Sequence, residues 1–146
     1  MRLVAAHDVV LATGHLSPDE TLVVVDRAKE LGVKKVVITH PEWSSINMPL
    51  QVQEKLLPYG VFFERCYNNR PLGEKDYVPN YPRSLEAIKA LGHESTVIAT
   101  DGGQPDAPPW GEALSRYILY LKNGGLSQEA VDVMTKQNPA YLLGLE

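Results

Sequence analysis

Short apolar runs alternate along this chain with longer stretches in which apolar residues recur every three or four positions. The runs Val9–Thr13, Val33–Thr39, Val61–Tyr67 and Thr96–Thr100 are rich in valine, isoleucine, phenylalanine and threonine, the composition of strands. Helices are predicted between them. Ser17-Pro18-Asp19-Glu20 supplies an N-cap, a proline at the first helical position and a capping-box glutamate, and the helix it starts carries Leu22, Val25 and Ala28 on its apolar stripe and stops at Gly32. A second helix is predicted over Pro49–Leu57, ended by Pro58-Tyr59-Gly60, and a third over Arg83–Leu91, ended by Gly92. Trp110–Asn123 and Gln128–Lys136 read as two closing helices, and Asn138–Leu145 as a short helical turn. Two irregular segments remain, Asn68–Tyr81 and Asp101–Pro109.

Strands alternating with helices at this spacing call for right-handed crossovers and a parallel sheet, an α/β fold. Three of the predicted strands end on a side chain able to bind metal. His15 follows Val9–Thr13 and Gly14, His40 follows Val33–Thr39, and Asp101 follows Thr96–Thr100. By alternation, His15 shares a face with Leu11 and Thr13, His40 with Ile38, and Asp101 with Ala99, so each stands at the end of an otherwise apolar face. Chemistry in parallel α/β proteins collects at that edge.

Composition narrows the partners more than the fold. At 146 residues, 44% apolar and 22% charged, the chain suits one globular domain, and its net charge of -4 lacks the basic patch of a nucleic-acid or membrane-surface binder. A small molecule or another protein chain is the expected partner. A single cysteine, Cys66, excludes an internal disulfide and a CxxC site, and is read as a structural thiol. The N-terminal residues lack a signal-peptide pattern and no apolar run is long enough to span a bilayer, so the expected setting is cytoplasmic.

The strand-end residues His15, His40 and Asp101, with the closing Asn138-Pro139-Ala140-Tyr141-Leu142-Leu143-Gly144-Leu145, resemble the C-terminal half of the amidohydrolase superfamily, metal-dependent hydrolases on a (β/α)8 barrel. In that family a histidine ends the fifth strand, another the sixth, and an aspartate the eighth. The resemblance implies four parallel βα units forming half of a TIM-type barrel. It also implies a divalent metal, zinc, on His15, His40 and Asp101, with Asp101 doubling as the catalytic proton acceptor. The family's first-strand HxH pair and its bridging fourth-strand residue have no counterpart here. A whole barrel takes about 250 residues. The chain therefore reads as a barrel cut in half, either short by nature or a fragment of a longer product.

Three charged residues near the same edge are candidate substrate contacts. Glu42 lies just beyond His40, and Glu64-Arg65 interrupt the third strand, Glu64 sharing a face with Phe62 and Cys66 and Arg65 with Phe63 and Tyr67. Periodicity does not choose which of the two points inward. Trp43 and Trp110, in loops just after strands, are read as packing over the sheet's end, and His7 and His93 fall at the opposite edge from the candidate site.

Two functions follow from the reading. One is an amidohydrolase-like enzyme cleaving a C–N or ester bond of a small molecule, incomplete in this chain; the other is a non-catalytic half-barrel that binds or assembles. Either leaves sheet edges and an inner face expected to include Leu11, Ile38 and Ala99 without cover. A homodimer closing an eight-stranded barrel, or a complex with an N-terminal half-barrel, is the expected remedy. An open flavodoxin-like sheet is disfavoured, because no glycine-rich phosphate loop follows a strand.

Overall fold

A computed structural model describes residues 1–69, 74–75 and 78–145. Four parallel strands form an open sheet in the order of the chain: β1 (Leu11–Ala12), β2 (Val36–Thr39), β3 (Phe62–Cys66) and, after two short strands, β6 (Thr96–Ala99). β1 and β6 are its edges. The α/β class and the parallel pairing agree with the sequence reading. Sequential order with no reversal also distinguishes this sheet from doubly wound folds, in which the strand order turns back on itself.

Capping chemistry sets the first crossover. Ser17 Oγ accepts the Glu20 N–H while the Glu20 carboxylate accepts the Ser17 N–H at 2.9 Å, and α2 (Pro18–Glu30) starts there. It follows a short N-terminal helix, α1 (Arg2–Ala6). The second crossover carries α3 (Leu50–Leu56), which tightens into a 3-10 turn over Leu57–Tyr59. Between β3 and β6 come β4 (Asn68–Asn69), β5 (Val78–Pro79) and α4 (Tyr81–Leu91). The β4–β5 pairing is antiparallel, so part of the expected irregular segment is ordered as a small ribbon; residues 70–73 and 76–77 of that segment lie outside the described residues.

The crossover helices pack on one face of the sheet. Val25 and Ala28 of α2 and Leu56 of α3 meet Val36, Ile38 and Phe63, while Ile88 of α4 and Tyr117 and Leu121 of α5 (Trp110–Asn123) meet Ile98. The parity of the expected inner face is corrected here. Leu11 and Ile38 point to the helices, while Ala99, paired with Cys66, keeps the expected face; that opposite face also carries Ala12 paired with Val37, and Glu64 paired with Val97. Ala12, Val37, Glu64 and Val97, with Val10 and the C-terminal residues Pro139, Leu142 and Leu143, line an apolar cleft of about 340 Å³ on the face away from the crossover helices.

The C-terminal segments join into one helical run. α6 (Gln128–Asp132) passes through a π turn at Val133–Gln137 into α7 (Asn138–Leu143), where a break at Lys136 had been expected. Asn138 fastens the run beneath β6: its Nδ2 donates to the carbonyls of Glu94 (3.0 Å) and Thr96 (2.7 Å). Leu142 and Leu143 thereby reach the cleft. Among the described residues, no helix is long and apolar enough to cross a membrane.

Candidate functional site

Left-handed residues re-aim the ends of three strands. Gly14 (φ 65°), His40 (φ 45°) and Asp101 (φ 51°) each stand just past the C-terminal edge, and only glycine adopts this region without steric cost. Non-glycine residues held there cluster at functional sites, because the surrounding structure must hold the strain in place. Several bonds do so. Thr39 N–H donates to Thr13 Oγ1 (3.1 Å), Gly14 N–H to Thr39 Oγ1 (3.2 Å), and Asn68 Nδ2 to the Asp101 carbonyl (2.9 Å).

The turn at His40 changes where its ring goes. Simple alternation would send it to the helix side with Ile38, yet it lies between two carboxylates of the other face. Its Nδ1 is 3.7 Å from Glu64 Oε2 and its Nε2 is 3.9 Å from Asp101 Oδ2. The His15 ring is 5.5 Å from it, centroid to centroid, and Trp43 packs on both imidazoles at 5.7 Å and 5.2 Å. His40 is only 9% exposed, and its Nδ1 is buried without a hydrogen-bond partner.

Electrostatics follow from that crowding. Burial pulls the His40 pKa below the ordinary histidine value, against the attraction of Asp101 and with the help of His15. The ring is thus kept neutral, with a lone pair free. Burial pushes Glu64 up, and the neighbouring Asp101 carboxylate pushes it further. Cys66 completes the group: burial, then Glu64 and Asp101, hold its thiol well above the usual value. Among the described residues, one nitrogen of His40, a Glu64 oxygen and the Cys66 sulfur all lie within 4.8 Å of one another.

The structure settles which of Glu64 and Arg65 faces the open side. Glu64 does, and is shared between the site and the apolar cleft. Arg65, 0% exposed, turns to the helix side, where its guanidinium is ion-paired with Glu42 and donates to Gln53 Oε1 at 3.0 Å and Thr96 Oγ1 at 3.3 Å. Glu42 is 3% exposed. The expected placement of Glu42 and Arg65 as substrate contacts at the mouth is therefore corrected: both are sealed behind the sheet. The cause is the turn at His40 and Pro41, which sends Glu42 back toward α3, where Gln53 Nε2 also donates to it at 3.2 Å. Its carbonyl, accepting from Asn80 Nδ2 (3.2 Å) and Arg83 Nη1 (3.0 Å), pins the loop that carries Trp43.

The structure thus brings His15, His40, Asp101 and Glu64 to one edge, with Cys66 beneath and Trp43 above. Sequence reasoning missed the part of Cys66, whose signal was its place two residues from Glu64 on one strand face. Trp43, expected from its loop position to pack over the sheet's end, does so on the two imidazoles. Residues 1–64 of the chain match a family of unknown function, DUF6282, a span that holds His15, His40 and Glu64 and ends before Cys66 and Asp101. No curated protein and no solved structure matches the chain.

Proposed function

We propose that the chain is the C-terminal half-barrel of an amidohydrolase-like, metal-dependent hydrolase, acting on a C–N or ester bond of a small molecule. The observation that carries this reading is His40: a neutral, buried imidazole with a carboxylate opposite each nitrogen and a second histidine beside it, at the edge where parallel sheets place chemistry. His15, His40 through Nε2, and Asp101 would hold the ion. The donor set fits zinc, for which two nitrogens and a carboxylate oxygen are ordinary catalytic ligands. Ligand atoms about 2.1 Å from a tetrahedral ion stand about 3.4 Å apart; Nε2 and Asp101 Oδ2, at 3.9 Å, need to close only slightly, whereas the exposed His15, its ring 5.5 Å from that of His40, would have to swing in to join them.

A bound zinc would supply Lewis acidity and a water acidified toward neutral pH. The protein's own groups do the rest. Asp101, besides holding the ion, would be the group able to take up and release a proton at its free carboxylate oxygen. Glu64 faces the ring from the other side, 3.7 Å from Nδ1, and would orient it by closing to accept Nδ1–H. Trp43 packs on both imidazoles and helps to bury that of His40, and the apolar cleft beneath Glu64 offers room for an apolar substrate group.

A half-barrel that assembles is the second reading, favoured by one observation: among the described residues, the face bearing Ala12, Val37 and Val97 meets only α7, through Pro139, Leu142 and Leu143, and an open cleft remains there. The two readings are compatible. A second copy, or a separate N-terminal half, would cover that face and add ligands. Metal analysis of untagged protein, with turnover of small amides and esters before and after chelation, tests the proposal. The chain alone is expected to take up zinc and to hydrolyse weakly or not at all, and His40→Ala to lose the metal. Uptake unchanged in His40→Ala would overturn the reading. Sedimentation should show a dimer; a stable monomer at micromolar concentration would remove the homodimeric form of the assembly.

A further inference from the structure

His40 has two nitrogens, and the outer site described above uses one. The other, Nδ1, is buried, has no hydrogen-bond partner, and points to the inner side of the cluster. There it meets Glu64 Oε2 at 3.7 Å, and Cys66, two residues along β3 on the same face, brings its sulfur within 4.8 Å of a Glu64 oxygen and of one His40 nitrogen, Nδ1 being the nitrogen on the Glu64 side. Cys66 is 4% exposed, so this inner position is screened from water where the outer one, with His15 exposed, is not.

We propose that His40 Nδ1, Glu64 and Cys66 form a second, inner seat for a thiophilic divalent cation of the zinc class. The donors are nitrogen, oxygen and sulfur, one each, and zinc takes all three at 2.0 to 2.3 Å, about 3.3–3.7 Å from one another around a tetrahedron. Reaching that span requires about an ångström of side-chain closure. Coordination replaces the S–H bond by a sulfur–metal bond and releases the thiol proton to solvent. A thiolate donor selects zinc, cobalt(II) or cadmium over magnesium and manganese, which prefer oxygen ligands.

A neutral imidazole has one lone pair, so the two seats exclude each other on one ring. A cation on Nδ1 leaves Nε2–H facing Asp101 Oδ2, which turns Asp101 from a ligand into the group that orients the ring. A cation on Nε2 leaves Nδ1–H facing Glu64. The inner seat stands on atoms that the hydrolytic reading leaves unligated, and a soft cation there displaces the outer ion.

Cobalt(II) titration of the full chain, followed by absorbance, tests the inner seat. Because the chain has one cysteine, a sulfur-to-cobalt charge-transfer band in the near ultraviolet reports Cys66 alone. The band is expected in the parent protein. Cys66→Ser should abolish it and weaken cobalt binding by about tenfold or more, Glu64→Gln should weaken binding while keeping the band, and His15→Ala should leave both near parent values. Cobalt bound without the band, no cobalt uptake, or a band lost in His15→Ala would each overturn the proposal. Manganese(II) binding, read by electron paramagnetic resonance in Cys66→Ser, reports the outer seat separately: its absence sinks the hydrolytic ligand set and leaves the cobalt result standing. If Cys66→Ser does not fold, the parent and His15→Ala spectra still decide.

Discussion

Replacing Glu42 by alanine is expected to be the most damaging single change near the site, although Glu42 touches neither the cluster nor the cleft. Arg65 has no exposure, and its guanidinium relies on Glu42 for its only anionic partner among the contacts described; Gln53 and Thr96 supply neutral oxygens, and Nη2 is buried without a hydrogen bond. Burial lowers the Arg65 pKa to about 10, which still leaves it charged at neutral pH. Removing one member of a buried pair typically costs about 3–5 kcal/mol, because the other charge is left uncompensated. For a domain of this size about 1 kcal/mol shifts the melting temperature by about 3 °C, so Glu42→Ala should melt about 9–15 °C lower. Replacing the pair together, Glu42→Leu with Arg65→Met, should recover most of the loss, since well-packed apolar residues often match a buried ion pair. Arg65→Met alone leaves a buried carboxyl whose folded pKa is raised. Its neutral form is favoured, so that variant's penalty is small below the unfolded carboxyl value of about 4.3 and grows as pH rises. Calorimetry or urea titration of the three variants reads this directly. A Glu42→Ala protein within about 1 kcal/mol of the parent would refute the reasoning, because the pair would then not be desolvated.

Three further outcomes are expected. Glu64→Gln should raise the stability of the metal-free protein at pH 7: Glu64 is raised above its ordinary value, so its contribution is present at acid pH and lost as pH rises through the folded pKa, and the variant's advantage should vanish below about pH 4.3. A variant less stable than the parent at pH 7 would contradict this. Asn138→Ala should cost about 1–3 kcal/mol in urea titration by leaving the Glu94 and Thr96 carbonyls without their donor, and no change would mean that the C-terminal run is held by packing alone. In a Trp110→Phe background Trp43 is the only indole, and its rings' contact with His15 and His40 predicts fluorescence quenching when cobalt(II) binds; unchanged emission at saturation would place the ion elsewhere.

What the sequence disclosed and what it hid divide along the physics of each element. The capping box at Ser17 and the β-rich runs are local signals, and α2, β2, β3 and β6 stand where those signals put them. The parity of the strands is not local. Which face of a strand is covered depends on where the helices pack, and both faces of β2 are apolar, Val36 and Ile38 on one and Val37 on the other, so alternation had no contrast to read. Arg65 was ambiguous for a related reason. A charge under a helix layer looks in sequence like a charge at a mouth, and only Glu42 and Gln53, 23 and 12 residues away, distinguish them. The continuous run from α6 to α7 was hidden by Pro139, which a helix accepts here because it falls in the first turn after the π segment.

The strand-end histidine and aspartate were found despite the parity error, and the reason ties backbone to chemistry. His40 and Asp101 were assigned to the correct edge but to faces read from alternation, and for His40 that face was the helix-covered one. Its left-handed turn reverses the assignment by swinging the side chain across the strand end, so that it meets Glu64 and Asp101 rather than α3. Two non-glycine residues in that conformation, at equivalent positions after β2 and β6, are costly for stability and are not needed to end a strand, since Gly14 ends β1 with the same turn at no steric cost. Asp8 and Asn47 take the same conformation away from the cluster, so what sets His40 and Asp101 apart is that their side chains meet at one edge. The same positions carry the crowded carboxylates of Glu64 and Asp101, a second cost of the same kind. On the proposed reading, a divalent cation would relieve the electrostatic cost by neutralising the pair.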